Sequence, residues 1–370
     1  MKKVSIIIIS FLLLVFISGC MQVAQVNEKL IIQAMGVDLS DEEYIITVQA
    51  LDVESAGGKD LVAAKKVKIF KARGYSIQDA MVNIKSQSGG KPIYSQAILL
   101  IMGEEIAKSG VGVFIDFFIR NYDFSPGVNV LVARGKACDI LTTKIDEKII
   151  TAEKLASISK EGMDANNSVN SNMGQFIGDV KCENRGAIAG YIMSEELDEK
   201  NALVVDKIAF FNGDKLVGVL DPEESKGYLF IKGKSFGISD LVYSPDFLDI
   251  TYTASNSKSK IKVYLQEDKL SVSIDMNVSL YVSESNVGVN CESDSSNIES
   301  LVSDRIKDLA KKAIKKSIID NKTDIFGFSC RFLKFNFQYV KENDLDLVEM
   351  LQDAEYNIKV KTKLVSAKSY

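Results

Sequence analysis

The chain has no histidine and no tryptophan among its 370 residues, four prolines, and five cysteines of which no two form a CxxC pair. Each gap excludes something. Without histidine there is no Ser-His-Asp or Cys-His triad, no HExxH zinc site and no imidazole base. Carboxylate pairs and Ser-Lys dyads can still catalyse, yet the missing imidazole is the strongest internal argument against an enzyme. Without CxxC there is no zinc ribbon and no thioredoxin-like motif. Four prolines argue against a disordered stalk, and 46% hydrophobic residues is the content of an ordinary globular protein. A net charge of -5 offers no basic face to a nucleic acid.

What is present is concentrated at the start. Lys2 and Lys3 precede an apolar run from Val4 to Phe16, relieved only by Ser5 and Ser10, which ends in Ile17-Ser18-Gly19-Cys20. A basic start, an apolar core and small residues before a cut make an export signal. The run is about 13 positions, short of the roughly 20 that a membrane helix needs. Cysteine directly after Ser-Gly makes it a lipoprotein signal rather than a plain secretory one. The Cys20 thiolate takes up lipid, and cleavage leaves it as the new N-terminus. One acyl chain binds a membrane only marginally, so the two chains of a diacylglyceryl group are what would hold the tether. Residues 1–19 are read as a lipoprotein signal peptide and Cys20 as the lipidation site. Cys138, Cys182, Cys291 and Cys330 remain, widely scattered. Two disulfides are open to them in an exported chain, with buried free thiols the preferred reading.

At 370 residues the chain exceeds the roughly 250–300 over which a single core grows, so two or three domains are expected. Leu30–Val37 and Glu43–Val53 read as a strand pair turning at Asp38–Asp41, and Val62–Ala72 as a third strand. Ser76 caps a helix to Lys85, with Asp79 three residues on. Ala97–Met102 and Asn129–Arg134 are strands; Glu104–Ser109, a segment from Val113 and another from Lys136 are helical. Lys207–Phe211 and Lys215–Leu220 form a hairpin about Asn212-Gly213-Asp214. Phe247–Ala254, Lys260–Leu265 and Leu270–Val282 alternate as an antiparallel sheet with one covered face does. The cover is an amphipathic helix over 297–320, with Ile298, Val302, Ile306, Leu309, Ala313 and Ile318 at helical spacing. Its lysines are read as solvated rather than membrane-bound. The expected class is α+β and multi-domain, with mixed or antiparallel β-sheets each covered by helices. An N-terminal α+β region spans 20–200, with room for two subdomains, and a C-terminal α+β domain spans 206–370.

No constellation rises to an active site. Gly89-Gly90-Lys91 lacks both the earlier glycine and the following Ser/Thr of a phosphate loop. Ser157-Ile158-Ser159-Lys160 matches SxxK, but no SDN or KTG accompanies it. Asp221, Glu223 and Glu224 surround Pro222 where acids favour a helix start, so capping outranks metal ligation. Arg120 and Arg134 sit beside apolar stretches as partly buried ion-pair or interface residues. No catalytic, cofactor-binding or metal residues are assigned.

Taken in order, several segments resemble the C subunit of the spore germination nutrient receptors, the Ger(x)C lipoprotein family. After the lipobox come Val26-Asn27-Glu28-Lys29-Leu30 and Ala34-Met35-Gly36-Val37-Asp38, similar to that family's opening. Ser76–Ala80, Leu99–Gly110 (LLIMGEEIAKSG), Asp116–Arg120 and Val132–Ala137 continue the match. Phe210–Lys234 resembles the start of the family's C-terminal domain, and Asp324-Ile325-Phe326-Gly327-Phe328 its D-x-F-G-F motif. Met21 stands where the family has tryptophan, and Gln96 where histidine is common. Cys330–Val340 alternates like a strand, whereas the resemblance implies a helix. The resemblance implies a non-enzymatic subunit, lipid-anchored on the outer face of the spore inner membrane and bound to the A and B subunits of a germinant receptor. The alternative is a solute-binding lipoprotein of a transporter, which would show two similar lobes around a polar cleft. A cell-envelope hydrolase, a third option, would need a carboxylate pair or serine dyad in a pocket.

Overall fold

A computed structural model describes residues 29–51, 67–120, 124–145, 148–164, 168–197, 200–244, 248–285 and 294–365. Cys20, Cys291 and the whole signal segment lie outside the described residues. The elements run β1 (Lys29–Ser40), β2 (Glu43–Leu51), β3 (Val67–Gly74), α1 (Ile77–Ser88), β4 (Lys91–Ile93), β5 (Leu99–Met102), α2 (Glu104–Ser109), α3 (Gly112–Arg120), β6 (Asn129–Ala133) and α4 (Ala137–Thr142). A two-residue ribbon, β7 (Lys144–Ile145) and β8 (Lys148–Ile149), leads into α5 (Ala152–Asp164), β9 (Ser171–Asn172), α6 (Met173–Val180), β10 (Ala187–Leu197), β11 (Lys200–Asn212), β12 (Lys215–Leu220) and α7 (Pro222–Lys232). Then follow β13 (Ser239–Ser244), β14 (Leu248–Gln266), β15 (Lys269–Ser285), α8 (Ser295–Ile314), α9 (Phe328–Glu342), α10 (Leu347–Gln352) and β16 (Glu355–Leu364).

The first sheet has the order β12-β11-β10-β6-β5-β1-β2-β3, with β4 added to β1 and β9 to β6. Its centre is parallel (β1 with β5, β5 with β6, β6 with β10) and its flanks are antiparallel. Buried runs such as Leu99–Met102, apolar at every position, are what a strand covered on both faces requires. One face carries Ile77 of α1, Phe114 of α3 and Phe176 of α6; the other carries Ile140 of α4 and Leu155 of α5. The second sheet, β13-β14-β15-β16, is antiparallel except for the last pair. Its apolar face is covered as the sequence predicts, by α8 with Ile298, Val302, Ile306 and Leu309 fully buried. Beyond Ile314 the helix loosens into a π turn over Lys315–Ile319.

The hairpin 207–220 does not begin a separate sheet. The chain passes 200 inside the β10–β11 pairing, and β11 and β12 both extend the first sheet. Strand periodicity explains how this serves both regions. Along β11, Ala209 and Phe211 face the first core, while Ile208 and Phe210 face the core of the second sheet. One strand is thus the wall between two cores.

Local detail differs in places: the strands expected at Phe247–Ala254 and Lys260–Leu265 are a single strand, β14. The first hairpin turns tightly at Asp41-Glu42, both with positive φ (52 and 68), so Asp38 falls within β1 and not in the turn. Cys330–Val340 is helical, in α9, as the resemblance implies and against its strand-like alternation. Its alternating Phe335, Phe337 and Tyr339 are 82%, 66% and 42% exposed, so their spacing never reported a buried sheet face. Arg120 and Arg134 are both exposed, Arg120 pairing with Asp116 one turn back on α3.

Candidate functional site

Two of the motif residues that carried the resemblance, Asp38 and Asp324, are structural supports. Asp38, buried at the end of β1, accepts hydrogen bonds from the Ala137 and Cys138 amides at 2.7 and 2.9 Å, holding the first turn of α4. Burial pushes its carboxyl above the usual range despite those bonds. Gly103 is required beside it, because a Cβ there would stand 2.1 Å from Asp38 Oδ1. Asp324 plays the same part at α9. Its carboxylate accepts from the amides of Phe326, Gly327 and Ser329 at 3.0, 2.8 and 2.8 Å, folding the D-x-F-G-F turn onto the helix start. Gly327 sits at φ 77, where glycine alone is unstrained. Burial again raises the Asp324 carboxyl.

The Asp324 turn lies on the seam between the two cores. Its carbonyl accepts from Gly186 N at 2.9 Å, and the Cys182 and Cys330 sulfurs stand 3.9 Å apart beside it. No disulfide joins the described cysteines, Cys138, Cys182 and Cys330. Along the same seam opens a cleft of about 600 Å³ between the segment 168–188 and the end of α7. Val169, Ile188, Tyr228 and Leu229 give it an apolar floor, with Arg185, Lys232 and Lys234 among its walls and Phe236 at its edge. Arg185 Nη1 pairs with Asp179 at 3.2 Å, while its buried Nε has no acceptor among the described residues. Lys232 donates to the Phe326 carbonyl at 3.2 Å. Burial, reinforced by Arg185 and Arg331, brings the Lys232 ammonium down to about 8, with Asp324 opposing and Lys234 adding to the fall. Tyr228, Leu229, Lys232 and Lys234 fall within the Phe210–Lys234 segment that carried the resemblance, but no motif in the sequence marks them, or Arg185, as a site.

The sequence candidates for chemistry do not converge. Ser157 and Lys160 lie exposed on α5. Gly89 is the left-handed cap of α1. Asp221 caps α7 in a reciprocal box with Glu224. Glu223 accepts from Arg305 at 2.6 Å and from Lys312, which hold its carboxyl down at about 2. Among the described residues no group of acids and cysteines is placed to hold a metal, and no helix is long and apolar enough to cross a membrane.

Comparison with known proteins settles the class. Residues 22–193 match the model described as the spore germination protein N-terminal domain, and residues 206–367 the one described as spore germination B3/GerAC like, C-terminal. The chain belongs to this GerAC-like family of spore germination proteins. Two relatives from Bacillus subtilis (strain 168) are each 22% identical to it. YfkR, which carries a spore germination name, matches over 60% of this chain and 60% of its own length. Spore germination protein B3 matches over 73% of this chain and 72% of its own. The crystal structure of the GerBC protein superposes with a TM-score of 0.61 at 17% identity, covering 90% of this chain and 97% of that one. That likeness shows the fold.

Proposed function

We propose that the chain is the membrane-anchored C subunit of a spore germinant receptor, working without catalysis by binding the receptor's A and B subunits. The observation that carries this reading is the match of both family models, in order, across the N- and C-terminal regions. The tether is the lipid on Cys20, which holds the folded body at the outer face of the spore inner membrane. For the subunit contact, α9 is the best-suited surface. Exposed Phe335, Phe337 and Tyr339 supply the aromatic side chains in which protein interfaces are enriched.

Deletion in the source organism should abolish or slow germination toward at least one nutrient. Normal germination toward every nutrient tested, in a strain without paralogues, sinks the proposal. Cys20→Ala should leave the precursor unlipidated and lower receptor levels at the membrane; full lipid labelling of that variant refutes the anchor.

A further inference from the structure

The charge of the seam cleft runs against the composition of the chain. The whole chain has 50 acids against 45 basic residues. Yet the twelve residues lining the cleft include three cations and no carboxylate. The nearby acids are already committed. Asp179 is paired to Arg185, and the Asp324 oxygens are taken by three backbone amides. Arg185 therefore keeps a buried Nε donor without an acceptor among the described residues, a condition that costs free energy unless something fills it. Lys232 faces the like charges of Arg185, Arg331 and Lys234. Beneath them lies an apolar floor, with Tyr228 and Leu229 almost fully buried and Phe236 68% exposed at the edge. About 600 Å³ lies within the range of small-molecule sites.

We propose that this cleft binds a small organic anion, its carboxylate held by Arg185, Lys232 and Lys234 and its apolar body laid on Val169, Ile188, Tyr228 and Leu229. The three cations come from three places in the chain: the turn before β10, the end of α7, and the segment after it. The site therefore exists only where the segment 168–188 meets the end of α7, and an anion in it ties these two segments together. This goes beyond subunit assembly and does not depend on it, because the isolated chain carries every residue of the site.

The acidity of Lys232 gives the site a signature. Charged and polar groups facing it are Arg185 and Asp179 from the first region, with Lys234, Asp324 and Arg331 from the second. An anion favours the protonated lysine, so binding is tightest below about 8 and weakens as pH rises past it.

The test is calorimetry on the full chain as the unlipidated Cys20→Ala form. Sodium benzoate is the probe, benzyl alcohol its neutral counterpart, and inorganic phosphate an anion without an apolar body. Benzoate should bind saturably and at least tenfold tighter than either, and lose about tenfold between pH 7 and pH 9. Lys232→Met should weaken benzoate at least fivefold and erase the pH dependence. Lys234→Met, an exposed position that spares folding, should weaken it about threefold with an unchanged melting midpoint. Benzoate binding no tighter than benzyl alcohol overturns the proposal. So does full benzoate affinity in both lysine variants, or phosphate binding as tightly as benzoate.

If germination fails in the deletion strain while benzoate does not bind, the receptor reading stands and this one falls; the reverse result separates them the other way.

Discussion

At the scale of residues, this chain spends its most costly groups on architecture. Asp38 and Asp324 each place a buried carboxylate under the amides of a helix start, and each is held above its ordinary protonation range by burial. Both belong to segments by which the family is recognised, and at these two positions the recognisable letter supports a helix start. Glu223 is the opposite case. Lys312 and Arg305 hold its carboxyl near 2, against an ordinary 4.5. The stability it contributes is complete above 4.5 and is lost as pH falls from there through 2. Glu223→Gln should therefore be less stable than the parent at neutral pH and equal to it at the acid end of that window. Urea midpoints measured against pH read this directly, and a constant gap across the window contradicts it.

At the scale of elements, propensity and period located most of the strands and helices, and contact decided the details. The capping residues Ser76 and Asp221 were legible because a side-chain oxygen at a helix start has a local job. The helix α9 was not legible from its own letters, since alternating exposed aromatics imitate a strand. Close approach is equally invisible. Gly227, in the middle of α7, faces α8 so tightly that a Cβ would lie 2.0 Å from the Leu309 carbonyl oxygen. Gly227→Ala improves local helix propensity yet should destabilise the protein by about 2–3 kcal/mol, because one helix must move off the other. Chemical denaturation checks the sign: a more stable variant would mean that the helices are free to slide apart.

At the scale of the whole molecule, the two regions share structure through β11. Phe210 is fully buried in the second core, on a strand that belongs to the first sheet, with its ring lying over Gly218. Phe210→Ala should cost about 3–5 kcal/mol. It should lower a single melting transition and not split off one region. Two separated transitions in calorimetry would show that the cores unfold independently. The pairing of β10 with β11 carries the first sheet across the expected division at 200–206.

The sequence by itself determined the fold class, the one-sided covering of the second sheet, the family, and the expectation that Cys20 carries lipid. These rest on local pattern: a basic-apolar-small leader, a period of two or 3.6, a cap, an ordered set of motifs. Tertiary structure alone decided that β11 serves two cores and that Asp38 and Asp324 are buried supports. It also decided that Arg185, Lys232 and Lys234, lying up to about 50 residues apart in the chain, face one cleft. Charge convergence of that kind has no period to read, because it depends on which loops a folded sheet brings together.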